Sequence, residues 1–228
     1  MIKKQITIAI DGYSACGKST LARDLAKKLS FIFIDSGAMY RGVALYCLKN
    51  NLFDQNYNPK EVEVIQALKK INLSFQLINN ENCLLLNSEN VETEIRSAEV
   101  AAVVSKVATI KEVRMKLVYE QQKMGANGGI VMEGRDIGSV VFPNAELKLF
   151  ITASQEIRVQ RRYLELKSKG IEAKIETISS NLAERDLMDS SRKESPLIQV
   201  EDAIVMDNSK LTREEQLDSV LNLVRNLL

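Results

Sequence analysis

The stretch Gly12, Tyr13, Ser14, Ala15, Cys16, Gly17, Lys18, Ser19 and Thr20 constrains this chain most. It follows an apolar run at residues 6–10 and precedes an amphipathic stretch at 21–29, so the pattern G-x-x-x-x-G-K-[ST] lies between a strand and a helix, where its chemistry works. Gly12 and Gly17 let the backbone turn where a Cβ would obstruct it, and successive N–H groups then point, with the helix N-terminus, at one anion. Lys18 is placed to reach the β- and γ-phosphates, and the Ser19 hydroxyl to ligate a magnesium ion. The expectation is a nucleoside triphosphate held by Gly12 through Thr20.

The chain has no histidine, which excludes a His-based triad, a His-ligated metal and a His general base. Phosphoryl transfer survives that exclusion, because positioning and charge neutralisation carry most of its catalysis. Lys and Arg total 31 against 30 Asp and Glu, so bulk charge gives no support to a nucleic-acid or membrane partner. Cys16, Cys47 and Cys83, an odd number at wide spacing, argue against a disulfide framework or a zinc site and fit a reducing cytoplasm. No leader and no apolar run long enough to span a bilayer is recognisable, so a cytoplasmic location is expected. With 228 residues the chain can bury a substantial core without staples.

Four further apolar runs read as buried strands, at 31–34, 129–132, 147–151 and 203–206. With intervening helical patterns they predict an α/β fold, in which ligands bind beyond the carboxyl ends of the strands. Polar clusters stand at two such ends. Asp35, Ser36 and Arg41 follow the run at 31–34, with Ser36 read as the N-cap of the next helix and Arg41 able to fork onto phosphate oxygens. Glu133, Arg135 and Asp136 follow the run at 129–132; either carboxylate can serve a magnesium shell through water, and Arg135 can neutralise phosphate. From about residue 50 to 94 the composition turns Asn-rich: a helix at 61–70 and a hairpin formed by 73–78 and 83–86 read as an inserted subdomain. Helices are expected at 95–106, carrying Ser105, and at 111–124, carrying Arg114.

A helix capped by Ser154 carries Arg158, Arg161 and Arg162; beyond a linker at 167–170, a second carries Arg185, Asp189 and Arg192 at i, i+4 and i+7, on one face. Two arginine-bearing helices joined by a glycine can close over phosphates as a lid, expected at about 158–192. Thr212 is read as the cap of an amphipathic closing helix.

Taken together, the loop at 12–20, the run Asp35-Ser36-Gly37-Ala38-Met39-Tyr40-Arg41, the run Glu133-Gly134-Arg135-Asp136-Ile137-Gly138 with Val141-Phe142-Pro143, and Glu184-Arg185-Asp186-Leu187-Met188-Asp189-Ser190-Ser191-Arg192 resemble the bacterial-type cytidylate kinases. The resemblance runs nearly end to end. It implies transfer of a phosphoryl group from ATP to CMP or dCMP with Mg2+, on a P-loop core of five parallel strands flanked by helices, with an inserted monophosphate-binding subdomain and a short lid. By that resemblance Ser36, Tyr40, Arg41, Ser105, Arg114, Arg135, Asp136, Arg185, Asp189 and Arg192 bind CMP. Ser105, Arg114 and Asp136 would read the cytosine edge, Arg185 and Asp189 the sugar, and Arg41, Arg135 and Arg192 the phosphate. Lys18, Arg158, Arg162 and Arg185 would be catalytic, Ser19 would hold Mg2+ with Asp35 acting through water, and the turn after Met206 would line the adenine side. A monomer without nucleic-acid or membrane partners is implied. Tyr13 and Cys16 depart from the proline and small residue common in the family, Glu133 from a frequent aspartate, and Met188 and Ser190 from positions often charged.

Two alternatives stay open on the sequence. One is a P-loop kinase for UMP, AMP or a hydroxylated metabolite, a hydroxyl acceptor calling for a carboxylate base, for which Asp35 is the candidate; the other is a nucleotide-dependent switch, against which stands the lack of an N-K-x-D-like motif, Asn208-Ser209-Lys210 being a poor substitute.

Overall fold

The computed structural model describes residues 5–79, 81–168 and 170–227; Asn80 of the expected hairpin turn and Lys169 of the expected linker lie outside them. In chain order the elements are β1 (Thr7–Gly12), α1 (Lys18–Leu29), β2 (Ile32–Asp35), α2 (Ser36–Lys49), α3 (Glu61–Ala67), β3 (Leu73–Ile78), β4 (Glu81–Leu86), β5 (Glu89–Asn90), α4 (Ala98–Val107), α5 (Lys111–Met124), β6 (Ile130–Glu133), β7 (Leu147–Thr152), α6 (Gln155–Ser168), α7 (Ile175–Ser191), β8 (Ile204–Asp207) and α8 (Arg213–Arg225). They gather into two compact units, one formed by the chain up to Phe33 with everything from Gly125 onward, the other by Ile34–Met124.

The first unit is built on a five-stranded sheet in the order β2-β6-β1-β7-β8. β1 is central and pairs in parallel with β6, in the register Ile10↔Glu133, and with β7, in the register Gly12↔Ile151. β6, β1 and β7, covered on both faces, carry continuous apolar runs instead of alternating ones; the runs expected as buried strands at the sheet edges are less covered, with Ile32 of β2 and Ile204 and Val205 of β8 exposed. Ile8, Ile10, Val131, Leu149 and Ile151 pack with Leu21 and Leu25 of α1 and Val220 and Val224 of α8 into one core. α8 starts on a capping box: Thr212 accepts the Glu215 amide while the Glu215 carboxylate reaches back to Thr212. Ser154 accepts the Ile157 N–H at 3.4 Å, as its expected capping role requires. Val159 of α6 packs on Ile178 and Leu182 of α7.

In the second unit α2, α4 and α5 enclose Met39, Val43, Val103, Val107 and Leu117, joined by Leu84 of β4. β3 and β4 form the expected antiparallel hairpin, in the register Leu73↔Leu86 to Ile78↔Glu81, and β5 extends it. Two helix starts differ from the sequence reading. Asp35, not Ser36, caps α2, its carboxylate accepting the Ala38 N–H at 2.9 Å; a charged acceptor also complements the positive end of the helix, and Ser36 becomes its first, buried residue. α4 begins at Ala98, after a 3-10 turn at Glu94–Arg96, because the Ser97 side chain takes the Val100 N–H. All three cysteines are free and buried. No helix among the described residues is long and apolar enough to cross a membrane.

At Gly12 the chain leaves the sheet while still paired to β7. Its φ is 141°, and a Cβ there would lie 2.0 Å from the Ile151 carbonyl oxygen. Gly12→Ala is therefore expected to lose on the order of 3–5 kcal/mol in urea unfolding, a backbone clash that no side-chain rotation relieves; a loss below about 1 kcal/mol would contradict this packing.

Candidate active site

The loop between β1 and α1 is braced from behind. Asn208, fully buried just after β8, donates from Nδ2 to the Cys16 carbonyl at 2.7 Å and to Gln216 Oε1 at 2.8 Å. Arg161 of α6 donates from Nη1 to the same Cys16 carbonyl at 3.1 Å and to Asn208 Oδ1 at 2.8 Å. Gly17, at φ 90°, turns the chain into α1. Lys18 is folded onto its own loop, with Nζ donating to the Tyr13 carbonyl at 2.6 Å and lying 3.6 Å from Cys16 Sγ. Burial first, then the positive charge of Arg135, pulls the Lys18 pKa below its ordinary value. A desolvated ammonium crowded by another cation gains much from an arriving phosphate anion.

Ser14 joins two arginine clusters to the loop. Its amide donates to Asp186 Oδ1 at 3.0 Å, and Asp186 also pairs with Arg158 Nη1. The Arg158 guanidinium lies 5.4 Å from the centroid of the Tyr13 ring, which packs edge-on against Phe150, so Tyr13 offers this arginine a cation–π seat. The Ser14 hydroxyl accepts from Arg135 Nη2 at 2.9 Å, and Arg135 Nε pairs with Asp189 Oδ2 at 2.8 Å. Burial works against the charge on Arg135, but the Asp189 carboxylate more than offsets it and holds the guanidinium above its ordinary pKa. Arg192 lies 3.6 Å from Asp189 and 3.8 Å from Asp136.

In the second unit Arg41 Nη2 lies 2.6 Å and Arg96 Nη2 3.3 Å from Asp35 Oδ2, and Arg96 also pairs with Glu92 at 2.6 Å. The buried Arg114 sits over the Tyr40 ring at 5.3 Å and donates to the Ala108 carbonyl at 3.3 Å. Ser105 is half-buried on α4. Asp35 has one oxygen on the α2 cap and the other on two guanidiniums, an arrangement suited to orienting Arg41.

Several assignments shift with the geometry. Arg192 stands in extended backbone after α7, at ψ 145°, so it does not share a helical face with Arg185 and Asp189; the aspartates that do align, at i and i+3, are Asp186 and Asp189. Arg162 is paired with Glu165 at 2.8 Å, whereas its neighbour Arg161 reaches the loop. Arg185 is half-buried on α7. The sequence reading gave no site role to Asp186, Arg161, Asn208 and Arg96, each of which acts through a partner distant in sequence. The three-residue interval between Asp186 and Asp189 and the four-residue interval between Glu92 and Arg96 were the local signals available.

An amide-lined loop at the carboxyl end of a central parallel strand, ringed by arginines, defines a P-loop nucleotide-binding protein. The family model for cytidylate kinase matches residues 8–226. The chain is 52% identical to the cytidylate kinase of Flavobacterium johnsoniae over 227 residues, covering 99% of this chain and 98% of that one. It is 54% identical to the cytidylate kinase of Parabacteroides distasonis over 216 residues, 93% of each chain. A solved structure of an uncharacterized protein from Eubacterium ventriosum has a TM-score of 0.53 at 11% identity, covering 98% of this chain and 99% of that one, a likeness of fold alone. The chain belongs to the cytidylate kinase family, a family of nucleoside monophosphate kinases.

Asp35 offers a test of the second unit's electrostatics. Burial opposes ionisation, but Arg41 and Arg96 hold the carboxyl below its ordinary 3.8. The stability it contributes is full above the unfolded value and is lost as pH falls through the depressed folded value. Asp35→Asn should therefore cost about 3 kcal/mol in urea unfolding near neutral pH and lose less than wild type on further acidification.

Proposed function

We propose that the chain transfers the γ-phosphoryl group of ATP to the 5′-phosphate of CMP, and of dCMP, giving ADP and CDP or dCDP. The observation that supports this best is the hydrogen bond from Arg135 to Ser14: a guanidinium from the loop after β6 is held at the P-loop, near enough to lower the pKa of Lys18. Two phosphate-bearing substrates give that concentration of positive charge a purpose.

The P-loop amides and Lys18 bind the β- and γ-phosphates, and Arg158 adds charge as negative charge shifts between donor and acceptor oxygens. Arg135 and Arg192, with Arg41, hold the acceptor phosphate; Asp136, Arg114 and Ser105 read cytosine, Asp136 accepting from its exocyclic amino group; Arg185 and Asp189 hold the sugar, and Ser36 and Tyr40 complete the CMP set. The acceptor phosphate is already largely ionised at neutral pH, so it needs orientation and not a base, consistent with a chain that has no histidine. Ser19 fits Mg2+: its exposed hydroxyl at the start of α1 is a hard oxygen donor, suited to an ion that takes its other ligands from phosphate and water. When bound, that ion supplies charge neutralisation at the triphosphate. The segments 50–94 and 158–192 are assigned as monophosphate subdomain and lid, in a cytoplasmic monomer.

ADP release from ATP and Mg2+ should be fast with CMP and dCMP and far slower with UMP, AMP, GMP or no acceptor. Equal release in every case would overturn the assignment. Lys18→Ala should reduce kcat by at least about 10³-fold. Asp136→Ala should reduce the preference for CMP over UMP by about 10²-fold; an unchanged preference removes Asp136 from base reading.

A further inference from the structure

The loop from Gly134 to Gly138 carries Arg135 and Asp136, and its backbone is tied to β1 at three points. The Gly134 N–H donates to the Ile10 carbonyl at 2.9 Å. The Ile137 N–H donates to Asp11 Oδ1 at 2.9 Å and the Gly138 N–H to Asp11 Oδ2 at 2.7 Å. Two of the three ties thus end on one carboxylate, which is 5% exposed and immediately precedes the first glycine of the P-loop. Beyond them the backbone coils into a wide turn, Val141 N–H donating to the Asp136 carbonyl at 3.1 Å and Phe142 N–H to the Ile137 carbonyl at 2.7 Å. Two residues suspended between anchored neighbours have little room to swing, and those two are Arg135 and Asp136.

We propose that Asp11 is a positioning residue for the acceptor: its ionised carboxylate clamps the Ile137 and Gly138 amides, fixes the aim of Arg135 and Asp136, and releases that aim when it takes up a proton. The proposal rests on the reading that these two side chains bind the monophosphate. Asp11 itself need not touch substrate. Each of its oxygens accepts one N–H, so protonating either removes an acceptor from a buried donor.

The surroundings put this change within reach of ordinary pH. Burial pushes the Asp11 carboxyl up from 3.8 to about 6, the two amide hydrogen bonds oppose that rise, Asp136 adds to it, and the Lys18 ammonium opposes it. From β7, Lys148 approaches Gly138 with its stem, while its ammonium pairs with Asp202 at 2.6 Å. Because the folded value is raised, the stabilisation that protonated Asp11 gives the fold is present below 3.8 and lost as pH rises through about 6. The fold therefore favours the protonated group while the site needs the ionised one, so site order and this part of stability change in opposite directions with pH.

The test is an amide titration of the 15N-labelled, substrate-free protein from about pH 8 to about pH 5. The Ile137 and Gly138 resonances should move together with a midpoint near 6, should still titrate in Asp136→Asn but at a lower midpoint, because that change removes a carboxylate that raises the Asp11 value, and should lose the titration in Asp11→Asn. At about pH 7.5, Asp11→Asn should raise KM for CMP by about tenfold or more while changing KM for ATP less than about twofold. Amides that do not titrate, or that follow Asp136 instead, overturn the clamp, and the wild-type titration decides this even where Asp11→Asn fails to fold. Equal increases in both KM values would also overturn it. Arg135→Ala and Asp136→Ala with unchanged KM for CMP would instead overturn the substrate reading, the titration alone then standing.

Discussion

Ser14 commits both of its polar groups to the arginine–aspartate cluster, and the rest of the site depends on that commitment. Its amide ends on Asp186 and its hydroxyl receives Arg135. A place that must receive phosphates needs a concentration of positive charge, and the same concentration is costly when no phosphate is there. α7 resolves this with two carboxylates one turn apart, Asp186 for Arg158 and Asp189 for Arg135, so each guanidinium is paired before any ligand arrives. Lys18 turns to a neutral acceptor, its own loop's Tyr13 carbonyl, so a phosphate anion offers this desolvated cation a stronger partner.

β1 organises this chemistry through three successive residues. Ile10 offers its carbonyl to Gly134, Asp11 its carboxylate to Ile137 and Gly138, and Gly12 opens the phosphate loop in a conformation and a space that only glycine fills. The donor cradle and the loop that carries Arg135 and Asp136 are therefore fixed from one central strand. Asn208 and Arg161 secure the far side of the cradle by donating to the Cys16 carbonyl, so the loop's backbone is held there from two other elements.

What the sequence disclosed and what it withheld divide along physical lines. The P-loop was legible because glycines, lysine and hydroxyl act through positions adjacent in the chain. The inner strands β6, β1 and β7 were legible because burial on both faces writes continuous apolar runs; the edge strands β2 and β8 carry such runs too, although Ile32, Ile204 and Val205 are exposed, and the hairpin of β3 and β4 was legible because an Asn-rich turn separates two short apolar runs. Ser36 misled because serine and aspartate are both good caps and stand side by side; only the fold shows that the carboxylate takes the Ala38 amide. Arg192 misled because periodicity cannot see that the helix ends at Ser191. Asp186, Arg161 and Asn208 act through partners more than forty residues away in the case of Arg161 with Asn208, and farther in the case of Asp186 with Ser14, and no local pattern encodes such a pairing.

The central claim, that the phosphates gathered at this loop belong to a nucleotide donor and a monophosphate acceptor, is tested most directly by following the phosphorus atoms themselves. A 31P spectrum recorded over time on the protein with ATP, Mg2+ and CMP should show the γ signal of ATP replaced by the two signals of CDP alongside those of ADP, with no inorganic phosphate. Appearance of inorganic phosphate with CMP unchanged would contradict the account, since it would mean that the bound triphosphate is opened to water and not to a second nucleotide.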